Sequence, residues 1–151
     1  MQKSSVDLVA ISISSPALFG IYKNNQLIEE IKKKGKTSDI LPVVFEELLN
    51  KYYIKRVIYT KGPGSYMAIK LSYIFFKTME IAKGIKLYGA EGFEFNQNRP
   101  IKAAGASFFV KNNGIITLKK DLKAGEFFLP KNLKDINFNE DTSPLYILSP
   151  V

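Results

Sequence analysis

Apolar and polar positions divide the chain into recognisable elements. Residues 6–14, VDLVAISIS, are apolar and β-branched and read as a buried strand. Residues 17–23 follow as a second strand. The intervening Lys23-Asn24-Asn25-Gln26 is a hairpin signal, because asparagine tolerates the left-handed backbone that tight turns need. Residues 26–31 alternate in polarity as a third strand would, with the lysines of KKKGK running out into solvent. An antiparallel meander is therefore predicted. Beyond Gly35 the period becomes helical: Thr37 or Ser38 can cap, Asp39 suits the first turn, and Pro42 must lie within that turn. Leu41, Phe45, Leu48 and Tyr52 make one face, while Ile40, Val43 and Val44 lie off it, more apolar surface than one packed side requires.

Residues 56–60, RVIYT, form a short buried strand that ends at the Gly62-Pro63-Gly64 turn. Ser65 is placed to cap a helix over residues 66–83, Gly84 to end it, and residues 85–88 to return as a strand. Strand, helix, strand, helix, strand after a hairpin predicts an α/β fold with a mixed sheet and two crossover helices. In the second helix Met67, Leu71, Ile74, Thr78 and Ile81 can face the sheet, leaving Ile69, Tyr73, Phe76 and Met79 on other sides. Two readings stay open: a thick core, or one apolar surface across both helices that another chain covers. At Asn96 the composition changes. NQNRP reads as a linker, residues 101–120 as two strands about an Asn-Asn-Gly turn, and KAGEFF (residues 123–128) as a strand or edge segment. Residues 1–95 thus make an N-terminal lobe and residues 96–151 a reduced second one.

Composition narrows the chemistry. The 151 residues contain neither histidine nor cysteine, which removes thiolate nucleophiles, the usual structural zinc sites and imidazole relays. Catalysis would rest on carboxylates, hydroxyls, lysines or backbone amides. The net charge of +8 favours acidic partners, but only Arg56 and Arg99 among the basic residues carry the forked geometry suited to base edges. A solvated lysine surface and a lysine-rich RNA-binding module both fit this balance. No apolar run is long enough for a membrane span and no leader pattern opens the chain, so a cytoplasmic location and no membrane partner are expected.

The stretch TKGPGSYMAIK, residues 60–70, is the strongest candidate for chemistry. A glycine-bracketed turn before a helix offers backbone amides and a positive helix end to an anion, so Gly62, Gly64, Ser65 and Lys70 are candidate anion or nucleotide contacts, with Lys61 and Lys70 making the turn electropositive. No Gly-Lys-Ser/Thr follows, so this is not a Walker loop, and a purely structural turn is the competing reading. Glu46 and Glu47, adjacent on a helix, diverge and suit solvation. Glu91 and Glu94 can share a helical face, but nothing nearby completes a catalytic set.

Residues 62–70, GPGSYMAIK, resemble the Gly-Pro-Gly-Ser-Phe-Thr-Gly-Leu-Arg pattern of the TsaB (YeaZ) family of bacterial threonylcarbamoyladenosine (t6A) tRNA-modification factors. LVAISIS is similar to that family's first strand, TSDILPVVFEELL to its first helix with its Leu-Pro step, GIKLYGAEGFE to the strand and turn after its second helix, and PLYILSP to its C-terminal ending. The resemblance implies an actin-like, sugar-kinase and Hsp70 (ASKHA, ribonuclease H-like) fold with a shortened C-terminal lobe. It implies a non-catalytic subunit with no cofactor of its own, which binds a TsaD-like catalytic subunit through its two N-terminal helices and forms a homodimer when alone. A TsaE-like ATPase joins that assembly, tRNA is met chiefly through the complex, and ATP or ADP is a candidate at the partner interface. The interface expected from this chain is Leu41, Val44, Phe45, Leu48, Ile69, Tyr73, Ile74, Phe76 and Lys77. A small ASKHA-fold nucleotide-binding enzyme, a kinase or hydrolase, is the alternative reading; where active members of the superfamily carry a metal-organising acid at the end of the first strand, this chain has Ser12, and Asp7 lies at the strand's other end. Met67-Ala68 stands where the family has Thr-Gly, and Lys70 keeps a cation without the fork.

Overall fold

Strand β1, Ser5–Ile11, turns Val6, Leu8 and Ala10 to one face of a sheet and Val9 and Ile11 to the other, and both sets are buried. That double burial is why the strand reads as a nearly unbroken apolar run. The structure, a computed structural model, describes residues 3–147. The last four residues of the PLYILSPV stretch lie outside the described residues.

β2, Ala17–Lys23, and β3, Gln26–Lys33, complete the predicted meander about Asn24 and Asn25, whose φ values of 51° and 67° are left-handed. α1, Thr37–Lys51, leads to β4, Tyr53–Gly62, and α2, Tyr66–Lys83, leads to β5, Lys86–Glu91. β1 pairs parallel with β4 and β4 with β5, so the five-stranded sheet has the order β3-β2-β1-β4-β5. Both helices pack on one face, over a core that includes Leu8, Phe19, Val57 and Tyr59. No helix among the described residues is long and apolar enough to cross a membrane.

Three expectations need correction here. Neither Thr37 nor Ser38 caps α1: the cap position is Lys36, without a side-chain bond, and Thr37 is already helical. In α2 the inward face is Ile69, Ser72 and Phe76, whereas Met67, Ile74 and Ile81 are exposed, so the heptad-spaced stripe 67-71-74-78-81 turns away from the sheet. The cause is polar and aromatic matching: Ser72 Oγ meets Ser12 Oγ at 2.7 Å, and the Phe76 ring stands edge-on to Phe45 with centroids 6.1 Å apart. Residues 123–128 form no strand; Gly125 N donates to Pro100 O and Phe128 N to Phe95 O within an irregular run.

The rest of the chain covers what the helices leave open. A 3-10 turn, Gly92–Phe95, leads through Asn96, buried with its Nδ2 donating to Arg99 O at 2.9 Å. β6, Ile101–Lys102, β7, Ser107–Asn112, and β8, Ile115–Lys120, form a small antiparallel sheet, β7 and β8 turning at Asn113 and Gly114 as expected. Residues 127–142 then run as a strap over the second face of the large sheet. Leu129, Leu133 and Ile136 fill a core with Val9, Ile11, Tyr22 and Ile58. The strap bonds to both sheet edges, through Leu27 N to Lys131 O at 3.0 Å beside β3 and through reciprocal Gly89–Asn139 bonds of 2.9 and 3.1 Å beside β5.

Candidate functional site

β4 and α2 meet at the Gly62-Pro63-Gly64-Ser65 turn. Gly62 has φ 125°, and a Cβ there would lie 2.5 Å from Leu145 O and 3.0 Å from Ile69 Cδ1. A Cβ on Gly64 would come within 3.0 Å of Ile13 Cβ. Both glycines thus serve close packing, one against the C-terminal segment and one against the loop after β1. Ser65 caps α2 as its position predicts, accepting from Ala68 N at 3.4 Å, and Gly84 closes the helix with φ 68°.

The cations expected at this turn do not converge on it. Lys61 Nζ reaches the C-terminal segment, 3.6 Å from Asp141 Oδ2 and 3.3 Å from Asp141 O. The Asp141 carboxyl is held below its ordinary range by the Ser143 amide and then by Lys61. Lys70 Nζ stands 5.9 Å from the Tyr66 ring centroid, and that ring stacks at 4.8 Å on Tyr146. Tyr59 OH donates to Thr142 O, and burial pushes its phenol far up from the ordinary value. The turn and its flanking residues are thereby anchored to residues 141–146.

A cleft of about 860 Å³ opens on the other side, between the β1–β2 loop, Gly64-Ser65 and the small sheet. Its walls include Ile13, Leu18, Phe109 and Phe127, and its polar groups include Ser14, Ser15, Ser65, Lys32 and Glu126. Of the four candidate anion contacts, Gly64 and Ser65 line it, whereas Gly62 faces Leu145 and Lys70 faces Tyr66. A magnesium–nucleotide centre here would need a carboxylate at Ser12. Ser12 is instead a buried hydroxyl at the edge of a second cavity of about 350 Å³ between the starts of the two helices, its Oγ already on Ser72 and its backbone N donating to Thr60 Oγ1 at 3.2 Å. The residues present do not fit that group.

The other carboxylates singled out in the sequence make structural contacts or face solvent. Asp7 is buried beside Arg56, 3.0 Å from its Nε, and the guanidinium lies over the Tyr88 and Phe138 rings. Glu91 pairs with Lys111 at 2.6 Å, Glu94 accepts from Asn137 N at 2.7 Å, and Glu46 and Glu47 are exposed.

Of the nine expected interface residues, six lie in the core: Leu41, Val44, Phe45, Leu48, Ile69 and Phe76 are each at most 4% exposed. Their apolar character is spent on the sheet and on each other, so they offer nothing to a partner. Tyr73 and Lys77 are half-buried, Lys77 pairing with Glu80 at 3.0 Å. Only Ile74, 50% exposed, lies squarely outside, and it sits between Met67 at 56% and Ile81 at 85%. Leu71 and Thr78 fill the intervening positions, a 4-3-4-3 spacing that makes one seam along a helix. The sequence pattern lets Met67, Leu71, Ile74, Thr78 and Ile81 face the sheet, whereas Met67, Ile74, Thr78 and Ile81 are exposed and Leu71 is half-buried.

No protein-family model matches the sequence, and no curated protein matches it either. Solved structures do match in shape. YeaZ from Pseudomonas aeruginosa superposes with a TM-score of 0.60 at 10% identity, covering 80% of this chain and 66% of that one. The fold is YeaZ-like. A structure of an uncharacterized protein with similarity to peptidase YeaZ from Pseudomonas aeruginosa gives 0.59 at 10% identity, with 78% and 64% covered. The chain therefore spans just under two thirds of these YeaZ-like structures, with a five-stranded mixed sheet and two helices.

Proposed function

We propose that this chain is a TsaB-like, non-catalytic subunit of the bacterial t6A tRNA-modification complex, acting in the cytoplasm. In this reading it has an ASKHA-type fold, which the β3-β2-β1-β4-β5 order and the YeaZ-like shape support. It binds and orders a TsaD-like catalytic subunit, with a TsaE-like ATPase in the same assembly, and pairs with a second copy of itself when alone. Nucleotide, where present, belongs to the interface with the catalytic subunit, and tRNA is met chiefly through the complex. The hydrogen-bonded Ser12–Ser72 pair counts against the rival reading of a small nucleotide-hydrolysing enzyme.

The observation that carries the proposal is the seam Met67-Leu71-Ile74-Thr78-Ile81. A fold that needed α2 only as a cover would put polar side chains there, and three of the five are large exposed apolar groups. Val43 of α1, 54% exposed, adds to the same class of surface. The interface is thus moved from the buried residues to the outer face of α2.

The test is co-expression with the host's TsaD homologue, followed by size-exclusion chromatography and measurement of t6A in tRNA. The native chain should co-elute and support modification, and Ile74→Glu should abolish both while keeping its circular dichroism spectrum. Undiminished co-elution of a correctly folded Ile74→Glu variant would sink the proposal.

A further inference from the structure

We propose that the outer face of the small sheet, centred on Lys102, Phe108 and Lys119, docks single-stranded nucleic acid through its phosphates and one stacked base. This goes beyond the subunit reading and does not rest on it. Residues 101–123 contain five lysines and one acidic residue, Asp121, a net of +4 that is half the charge of the whole chain. Of these lysines Lys111 is paired, with Glu91, and faces away. Residues 31–36 hold a second such run, Lys32, Lys33, Lys34 and Lys36 with no acid, so charge alone does not single out this sheet.

The register gives that charge a shape. Lys102 is opposite Phe108, and Phe108 is opposite Lys119, so the three side chains form one row across three strands. Directly opposed residues share a face, and the other face, with Ile101, Phe109 and Leu118, is the one packed inward against Phe93 and Phe127. Lys102 and Lys119 are exposed, and Lys102 Nζ lies 4.9 Å from the Phe108 centroid. Val110 and Thr117 make the next row of the same face, again without a carboxylate.

An aromatic ring on an open sheet between two lysines whose strands lie about 10 Å apart, one of them donating to Gly105 O, is an arrangement that accepts a base on the ring and the flanking phosphates on the lysines. Lysines without arginine fit phosphates better than base edges, so weak sequence preference and strong salt dependence follow. A bilayer is the poorer partner: of the hairpin tip that would enter it first, Asn112, Asn113 and Gly114 offer no apolar side chain and Ile115, 65% exposed, is a lone apolar group, while Phe108 is half-buried in mid-sheet rather than projecting.

The test is fluorescence anisotropy of the full chain with a labelled uridine oligomer of about 12 nucleotides. Binding should weaken with salt. Reversing Lys102 and Lys119 together to glutamate should lower affinity at least about tenfold and reduce the log-log salt slope by about 0.7 per lysine. Phe108→Leu, which keeps the packing, should weaken binding several-fold, and Ile74→Glu should leave it unchanged, which separates this face from the helical seam. An equal loss with Lys55→Glu at the far end of the large sheet, unchanged affinity in Phe108→Leu, or stronger capture by vesicles of equal phosphatidylcholine and phosphatidylserine overturns the proposal.

Discussion

The two helices lie side by side on one face of one sheet, yet they spend their apolar residues differently. α1 buries Ile40, Leu41, Val44, Phe45 and Leu48 and leaves Glu46, Glu47 and Asn50 outside, an ordinary amphipathic division with Val43 as the exception. α2 buries Ile69, Ser72 and Phe76 and carries a second apolar stripe on its outer face. A helix that needs only one face for folding and is apolar on two has a surface that folding does not explain. Stability thus rests on α1 and the inner side of α2, and the outer side is left as the surface that the proposed association would use.

The largest effect should come from breaking the shared inner side. Phe76 is 1% exposed and meets Phe45, Phe75 and Tyr59, so Phe76→Ala should cost about 3–5 kcal/mol, read as a lowered denaturant midpoint. Phe45→Ala should cost a similar amount, because one aromatic cluster joins the two helices. If Phe76→Ala were tolerated as a surface change is, the assignment of faces would be reversed.

A smaller loss is expected where α2 reaches β1. Ser72→Ala removes the partner of the buried Ser12 hydroxyl, at a cost of about 1–3 kcal/mol. Ser12→Asp tests the same spot from the other side: a carboxylate there meets Ser72 in a buried position, so it should destabilise the fold without creating nucleotide turnover.

How far the sequence foretold this division depends on what decides each feature. Local signals were legible: the Asn24-Asn25 and Asn113-Gly114 turns, the Ser65 cap, the Gly84 stop and the order of strands and helices all depend on neighbours in the chain. The facing of α2 was not legible, because periodicity finds two apolar stripes and only tertiary contacts choose between them. Ser72 carries no apolar signal, although its bond to Ser12, 60 residues away, helps set the rotation. The strap was hidden for a related reason. Leu129, Leu133 and Ile136 sit in irregular backbone with no period to read, and become core only against the far side of β1 and β4. At the turn, the glycines were legible and their reason was not, since Gly62 answers to Leu145.

The outer side should behave in the opposite way to Phe76. Ile74→Glu and Ile81→Glu replace exposed groups, so each should change stability by no more than about 0.5 kcal/mol while lowering self-association measured by sedimentation velocity. The corresponding change in α1, Glu47→Lys, should alter neither. Association that survived both α2 replacements would remove the distinction between the helices.

The smallest effect concerns the carboxylates at the two helix ends. Glu29 of β3 accepts from Tyr52 at 2.6 Å and from Lys51 at 2.9 Å, fastening the end of α1, and those bonds hold its pKa below the usual value. Glu80 of α2 accepts from Leu87 N and Lys77, each at 3.0 Å; burial pulls its pKa up, but the two bonds outweigh it and the net shift is downward. A carboxyl with a depressed folded pKa binds fewer protons folded than unfolded, so its contribution is present above the ordinary carboxylate value and is lost as pH falls through the depressed one. Both pairs are partly solvated, so each should contribute less than about 1 kcal/mol. Thermal melts between neutral pH and acid should therefore show a small decline below the ordinary glutamate range, reduced in Glu29→Gln and in Glu80→Gln. Because glutamine can still accept from the Leu87 amide, Glu80→Ala should cost more neutral-pH stability than Glu80→Gln, and equal stability of those two variants would show that the Leu87 bond contributes nothing.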